Sequence, residues 1–550
     1  MILEKKLSPA AISMLIALAL LCGASLLLCS FPVWITDNGN KYIIMRNFAE
    51  NGSLVIRHAV PELFPDGGFH FQKIAGEWRS FYPEIFPVFS SFFYRLAGNR
   101  GAVIPVLLAG VLLAGVMGRY FKSYKISLLA LLATPCFYYS LLLWEMIPAV
   151  LFCTLGVIFL ARKRSVSGGI LLAAGLFFRE EIYFAAAAAG LALLWEKDWK
   201  NILRFSAGFL PVMLLVFLEQ FLLTGHILGV HGATYYLNNR TGNFVLQNEL
   251  LGALWNYYHH LLRFDASIFF TASGIVMLLL GAFRSTPVFR RVKTAFLLVQ
   301  CGFFLYGAYW FCQQQELCFA ATVSAGFITT LPIVWGFFLN WNELLHAPLA
   351  RKRFWTKWIL IYTLLVPVLL TRSDIGLFWG ARHFLFVMPF AVFLGCGTVR
   401  KMLWGRRLLL PLAVYLSLVW QLCGLSALND VSRESAAFTR SVLEAAPTGT
   451  AVASDLFYLP EQTPELFFER TFCKAATEEE IEKLCRYIRE QGKNELVFIT
   501  GKKYSRLTPG AGKKLQQLTA IDRAVAFESN VSGFMDLIIF NLKLKGNAVK

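Results

Sequence analysis

Apolar stretches of about 20 residues, separated by short polar segments, recur along about the first 430 residues of this 550-residue chain. A helix of that length crosses the roughly 30 Å hydrocarbon core of a bilayer. The clearest stretches are residues 11–31, 205–223, 267–283 and 294–311. The pattern predicts an all-α polytopic membrane protein with about 13 transmembrane helices. Two of the predicted spans, 168–178 and 182–195, are short and meet at a charged turn.

Three longer segments break this pattern. Residues 32–100 form a predicted first loop on the outward side, and residues 224–264 form a second large loop on that side. After residue 427 the apolar fraction falls and the charge rises. Short apolar runs at 450–454, 495–500 and 535–540 predict strands, and 478–491 predicts an amphipathic helix. We therefore expect a membrane domain at 1–427 and a small soluble α/β domain at 428–550.

Charge defines the expected orientation of the chain. Only 16% of the residues are charged, whereas about 25% is typical of soluble domains. The net charge of +18 comes from short basic clusters between apolar stretches, which is the positive-inside pattern and not that of a nucleic-acid-binding protein. Lys5 and Lys6 precede the first span and predict a cytoplasmic N-terminus. We expect a multi-pass protein of the inner (plasma) membrane of a bacterium, in contact with membrane lipid, with the tail on the periplasmic or extracellular side.

Ionisable residues concentrate at the outward ends of the predicted spans. Burying such groups is costly unless they pair or take part in function. Carboxylates suit acid–base chemistry and arginines suit phosphate binding, so a site assembled at this membrane face is one interpretation. The residues are Asp37, Glu145, Arg179, Glu180, Glu181, Arg372, Arg382 and His383.

A structural explanation stays open for each of these residues. Asp37 is suited to cap a helix that begins near Asn40. Arg179 and Glu180 are suited to a structural ion pair. Arg382 and His383 could equally be ordinary residues that lie at the level of the lipid headgroups, and the same holds for His259 and His260. In the tail, Cys473 and Cys485 are the only cysteines, and an outward tail predicts a disulfide between them.

Four local segments resemble the GT-C superfamily of integral membrane glycosyltransferases, in the branch with protein O-mannosyltransferases and lipid A aminoarabinose transferases. Asp37 follows the first span, where that superfamily has an acidic residue. Residues 81–87, Phe-Tyr-Pro-Glu-Ile-Phe-Pro, resemble the segment before the second span. Trp144-Glu145 resembles the acidic turn between the third and fourth spans. Residues 379–383, Trp-Gly-Ala-Arg-His, resemble a Gly-Pro-Arg-Tyr/His segment, with Ala381 in place of the proline.

The resemblance implies an inverting transferase that moves a sugar from a polyprenyl-phosphate donor to a hydroxyl of an unknown glycan, lipid or protein acceptor. In that reaction Asp37 is the general base and Glu145 orients the base or the acceptor. The residues assigned to the donor phosphate are Arg382, His383, Arg372, Lys41 and Arg179. The residues assigned to the acceptor or substrate are Tyr82, Glu84 and Glu180. No cofactor is expected: Asn38 stands where a second acid would be needed, and one carboxylate is a poor divalent-metal site.

Two other classes of protein remain as alternatives. An O-antigen polymerase or ligase also has many spans, large outward loops and lipid-linked substrates. A transporter or lipid flippase would place ionisable residues near the membrane midplane, and Glu219 lies within a predicted span. The carboxylate directly after the first span favours the transferase.

Overall fold

The computed structural model describes residues 7–28, 36–57, 61–63, 71–74, 76–80, 82–225, 227, 254, 257–264, 268–313, 326–369, 379–456, 458–502, 505–529 and 536–545. These residues form two compact units. The first unit lies within Met1–Leu28, Val103–Gln314 and Cys318–Ser426. The second unit lies within Cys29–Ala102 and Ala427–Lys550.

The α-helices, numbered along the chain, are α1 (Pro9–Leu27), α2 (Thr36–Asn51), α3 (Ile85–Ala102), α4 (Ile104–Phe121), α5 (Tyr124–Leu132), α6 (Cys136–Tyr139), α7 (Met146–Ala161), α8 (Ser165–Ala174), α9 (Ile182–Trp195), α10 (Trp199–Thr224), α11 (Ile268–Ala282), α12 (Pro287–Gln313), α13 (Trp335–Phe338), α14 (Trp341–Leu345), α15 (Ala350–Leu369), α16 (Met388–Val399), α17 (Leu410–Ala445), α18 (Leu459–Gln462), α19 (Pro464–Glu469), α20 (Glu478–Glu490) and α21 (Pro509–Leu518). The strands are β1 (Phe71–Ile74), β2 (Glu77–Ser80), β3 (Ala451–Ser454), β4 (Thr471–Lys474), β5 (Glu495–Gly501), β6 (Thr519–Phe527) and β7 (Leu537–Leu544).

Apolar helices dominate the first unit, as the sequence predicts. Within the described ranges, five helices are long and apolar enough to cross a membrane: α1, α4, α10, α12 and Gly405–Ala445, which contains α17. Shorter apolar helices include α7, α9, α16 and Ser165–Phe177, which is α8 with a 3₁₀ turn. The four clearest apolar stretches correspond to α1, α10, α11 and α12. The pair of short helices expected at 168–178 and 182–195 is also present. The number of spans and their orientation stay predictions.

Glycines set the packing of α8 in the first unit. A Cβ atom on Gly168 would lie 2.9 Å from the carbonyl oxygen of Gly156 in α7. On the next residue, Gly169, a Cβ atom would overlap the carbonyl group of Phe205 in α10. In a bilayer, burying apolar side chains between helices gains little, because lipid is apolar too. Small residues contribute there by letting helix backbones pack closely. Helix α8 therefore lies directly against α7 and α10, and the turn that follows α8 is held near the start of α7.

The tail folds as the predicted small α/β domain. Its sheet has the order β4-β3-β5-β7-β6, with β3 parallel to β4 and β5, and β7 antiparallel to β5 and β6. The three strands and the helix that the sequence predicts are β3, β5, β7 and α20. The sequence does not predict β4, which has four residues, or β6, which is mostly exposed and lacks apolar alternation.

The tail cysteines lie in one apolar core but are not bonded. Cys473 on β4 and Cys485 on α20 are both buried as free thiols, so the predicted disulfide is wrong. Burial raises the pKa of the Cys473 thiol to about 12 and that of Cys485 to about 11. Both thiols therefore pack as small hydrophobic groups.

Part of the first loop packs on the tail within the second unit. Helix α2 contacts α18 so closely that a Cβ atom on Gly39 would overlap the main-chain oxygen of Glu461. Arg46 of α2 forms an ion pair with Glu469 at 3.1 Å. The sequence-based division assigned residues 32–100 to the membrane domain, whereas their contacts in the structure group them with the tail.

Candidate active site

Arg179 joins two carboxylates in the first unit, one fully buried and one largely buried. Its Nη1 atom donates to Oε1 of Glu145 at 2.8 Å, and its Nε atom donates to Oε2 of Glu181 at 2.8 Å. Its Nη2 atom also donates to Glu181. The side chain of Glu145 is only 1% exposed. The structural ion pair that the sequence suggests is therefore present, but the partners are Glu145 and Glu181 and not Glu180.

The local chain geometry explains why both carboxylates tolerate burial. Glu145 stands at the N-cap position of α7, and Glu181 stands at the N-cap position of α9. Negative charge is favoured at helix N-termini, where main-chain N–H groups have no helical partner. Burial alone would raise the pKa of Glu181. The charge of Arg179 and a contact with His383 outweigh burial and hold the pKa of Glu181 well below its usual value.

His383 connects this ion pair to Arg382. The Nδ1 atom of His383 lies 3.7 Å from Oε1 of Glu181, and Nε of Arg382 donates to Nε2 of His383 at 3.2 Å. A guanidinium can only donate, so Nε2 accepts and the proton of the neutral ring is on Nδ1, facing Glu181. Burial lowers the pKa of His383 to about 4 despite the nearby carboxylate, so the ring is neutral near pH 7.

Aromatic groups surround Arg382 and His383. The guanidinium carbon of Arg382 lies 5.9 Å from the ring centroid of Trp144. The His260 ring meets the His383 ring edge to face at 5.3 Å, and Tyr362 donates to the main-chain oxygen of His383 at 2.7 Å. The interfacial interpretation of His259 and His260 is wrong, because they are 1% and 4% exposed.

Glu181 was among the predicted site residues but had no predicted role, and neither His260 nor Trp144 was predicted to belong to the site. The sequence held signals for Trp144 and Glu181. Trp144 adjoins Glu145 in a segment that resembles GT-C enzymes, and Glu181 belongs to the charged turn between the two short spans. The burial of His260 follows from tertiary packing and had no signal in the sequence.

A second group of predicted site residues lies in the second unit. Nζ of Lys41 donates to the main-chain oxygen of Asp37 at 3.2 Å and lies 3.5 Å from the ring centroid of Tyr82. Lys41 is 1% exposed, and its contact with the ring is of the cation–π type. Asp37 lies inside the first turn of α2, which begins at Thr36 and not near Asn40, as the capping interpretation assumed. The structure thus places a carboxylate and an ammonium on consecutive turns of one helix.

The remaining predicted residues are less closely grouped. Glu84 is buried, with Oε2 3.9 Å from Nη1 of Arg79. Glu180 is partly buried in the turn beside Arg179. Arg372 lies outside the described residues. The assembly of Asp37, Glu145 and Arg382 into one site at the outward membrane face stays a prediction. In the described ranges no three His, Cys, Asp or Glu side chains are grouped to hold a metal ion, and the expectation that no cofactor is needed stays a prediction.

Comparisons with known proteins identify the fold. No protein-family model matches the chain, and no curated protein matches its sequence. Among solved structures, that of ArnT from Cupriavidus metallidurans in the apo state is similar, with a TM-score of 0.52 and 14% identity. The structure of the same protein bound to undecaprenyl phosphate gives a TM-score of 0.51 and 11% identity. Each alignment covers 96% of this chain and 97% of the ArnT chain.

At this level of identity, the structural similarity establishes the fold alone. It extends over nearly the whole length of both chains. The chain has the fold of ArnT, which agrees with the fold expected from the four resembling segments. Together with the apolar helices, this fold makes the chain an integral membrane protein.

Proposed function

We propose that this protein is an inverting glycosyltransferase that moves a sugar from a polyprenyl-phosphate donor to an acceptor hydroxyl at the outer face of the membrane. Three observations support the proposal. The fold is that of ArnT, and one ArnT structure holds undecaprenyl phosphate. Acidic and basic side chains occupy the segments that resemble GT-C enzymes. The observation that carries the assignment is the hydrogen bond from Arg382 to His383 beside a buried ion pair.

Arg382 is the cation that we assign to the donor phosphate. Its Nε atom is held by His383 and its charge lies against the Trp144 ring, so two contacts orient the guanidinium plane. A cation positioned before the donor binds loses little freedom on binding, and arginine matches phosphate oxygens bidentately. Arg179 already uses its donors on Glu145 and Glu181. We therefore assign Arg179 to positioning this cluster, a change from its predicted contact with phosphate.

In the proposed reaction, the acceptor oxygen attacks the anomeric carbon on the face opposite the phosphate. The acceptor's proton passes to the carboxylate of Asp37 as the new C–O bond forms. The bond between the anomeric carbon and the phosphate oxygen breaks, and polyprenyl phosphate leaves with the electron pair. Arg382 stabilises the negative charge that grows on the leaving phosphate. We assign Lys41 to the same phosphate, and Tyr82, Glu84 and Glu180 to the acceptor.

The test uses the purified full chain in proteoliposomes, with labelled polyprenyl-phosphate sugars and candidate acceptors. We expect transfer of label by the wild type, and a loss of roughly 10²–10³-fold in turnover for Arg382→Ala, with weaker donor binding. Arg382→Lys should recover only part of the activity, because a point charge lacks the bidentate geometry. Arg290→Ala removes an exposed arginine at the start of α12 and serves as the matched control.

Two outcomes would overturn the proposal. One is wild-type transfer by Arg382→Ala. The other is movement of the lipid-linked sugar across the bilayer without transfer to any acceptor, which would favour a flippase.

A further inference from the structure

Four basic side chains gather at helix ends in the first unit, well apart in sequence from Arg382. Arg162 follows α7, Arg351 and Lys352 lie in the first turn of α15, and Lys401 follows α16. We call these four residues the basic cluster. The charges of Arg351 and Lys401 act on the Lys352 ammonium, and those of Arg162 and Arg351 act on a shared neighbour, the Tyr120 hydroxyl. These mutual charge effects place the four cations near one another at three helix ends.

An aromatic floor lies under the basic cluster. The rings of Phe121 and Phe393 are stacked at 4.2 Å, and Trp355 meets Tyr120 at 5.7 Å. Two of the cations lie over this floor. The guanidinium carbon of Arg162 is 4.6 Å from the Tyr120 centroid, and Nζ of Lys352 is 6.0 Å from the Phe393 centroid. The rings hold the cations in place without neutralising them.

The basic cluster lacks a counter-charge within the part of the chain that the structure describes. No carboxylate there lies within ion-pair distance of the four cations, and residues 119–125, 162–164, 350–358 and 399–407 contain no Asp or Glu. A lysine on the same helix behaves differently, because Lys357 pairs with Glu196 at 2.6 Å. Grouped like charges repel each other, so an anion from outside the chain would stabilise the cluster.

We propose that the basic cluster and its aromatic floor bind the phosphate headgroup of an anionic phospholipid. Arg162, Arg351 and Lys401 are exposed, so a headgroup in the surrounding membrane can reach them. Basic pockets between membrane helices provide the charge that such headgroups require, and aromatic rings suit the boundary between headgroup and acyl chain. The sequence predicts this end of the helices on the cytoplasmic side, where anionic lipid attracts basic residues. This site is separate from the transfer reaction.

The experiment measures lipid binding by the full chain in phosphatidylcholine nanodiscs that contain phosphatidylglycerol or lack it. Native mass spectrometry counts the retained phosphatidylglycerol molecules, and a titration gives the affinity. The test variant is the double variant Lys352→Gln with Lys401→Gln. Its matched partner, Lys352→Arg with Lys401→Arg, keeps both charges at the same positions. Lys357→Gln is the control for a lysine that is already neutralised.

We expect the double glutamine variant to bind phosphatidylglycerol about 25-fold more weakly, since each cation near a membrane surface contributes about five-fold. The double arginine variant and Lys357→Gln should bind within about two-fold of the wild type, and added salt should weaken wild-type binding. Equal retention by the wild type and the double glutamine variant would overturn the proposal. Displacement of the lipid by millimolar inorganic phosphate would also overturn it, because the site would then select free phosphate.

Discussion

The Nε atom of Arg382 donates a hydrogen bond to the Nε2 atom of its neighbour His383 at 3.2 Å. The orientation of the arginine thus depends on the protonation state of the histidine. Behind the ring, Glu181 faces Nδ1 and is itself held by Arg179, whose other carboxylate partner is Glu145. A line of contacts therefore runs from the start of α7 to the cation that we assign to the donor phosphate.

The first prediction separates the two ring nitrogens of His383. In His383→Gln the amide reaches the position of Nε2 and its oxygen accepts from Arg382. In His383→Asn the shorter amide reaches the position of Nδ1, and the acceptor for Arg382 is lost. We expect the KM for the donor to rise several-fold more in His383→Asn than in His383→Gln. Equal KM values for the two variants would contradict a role of His383 in orienting Arg382.

The second prediction concerns pH and stability. Burial lowers the pKa of His383 in the folded chain to about 4, from an ordinary value of about 6.5. Between these values the unfolded chain binds more protons at this residue, so the folded state loses stability as the pH falls through the window. His383→Gln removes this titration. Its melting temperature should fall less than that of the wild type between about pH 6.5 and pH 4.5. If the melting temperatures of the wild type and His383→Gln fell equally over this pH range, His383 would not be neutral in the folded state.

The third prediction tests Asp37 as the general base. Asp37→Asn keeps the size of the side chain and removes its ability to take a proton, so turnover should fall by about 10²–10⁴-fold while donor binding persists. Asp198→Asn is a matched control, because Asp198 caps α10 through a hydrogen bond from Asn201, and asparagine caps a helix equally well. Turnover of label in proteoliposomes is the measurement. If Asp37→Asn were fully active, Asp37 would not be the general base, and another residue would have that role.

The fourth prediction concerns the buried ion pair. Arg179→Gln leaves the carboxylates of Glu145 and Glu181 without their cation, and loss of one partner of a buried pair costs roughly 3–5 kcal/mol of unfolding free energy. Thermal melting in detergent should show a clear drop. The matched control is Lys357→Gln, at the partly exposed pair with Glu196, which should cost at most about 1 kcal/mol. Equal shifts in the two variants would mean that the Arg179 pair contributes no more than a surface pair.

Much of the fold was predictable because the bilayer imposes a strong pattern. A helix that crosses lipid must be apolar along its length, so α1, α10, α11 and α12 are visible in the sequence alone. The short pair, α8 and α9, was predictable because three charged residues at 179–181 interrupt one apolar region. Strand β6 was not, because most of its residues are exposed and its edge position needs no apolar face.

It was harder to predict which side chains the site residues contact than to predict the site residues themselves. Arg179, Glu180 and Glu181 are adjacent in sequence, and no local rule decides which carboxylate turns inward. That choice depends on Glu181 lying at the N-cap of α9, where it also faces His383. His260 is similar, since its burial depends on the packing of the end of the second loop against the chain near residue 383.

The two neighbouring glycines of α8 make this helix a spacer of fixed thickness. Gly168 meets α7 and Gly169 meets α10, so a single methyl group on either residue would push two backbones apart. From Gly168 the helix rises about 9 Å to its last residue, Ala174, at about 1.5 Å per residue, and a 3₁₀ turn at Gly175–Phe177 leads on to Arg179. A displacement of α8 at these glycines would move the turn that carries Arg179, and the 2.8 Å contact with Glu145 would open. The position of Arg179 thus depends on two glycines in the first half of the helix that precedes its turn.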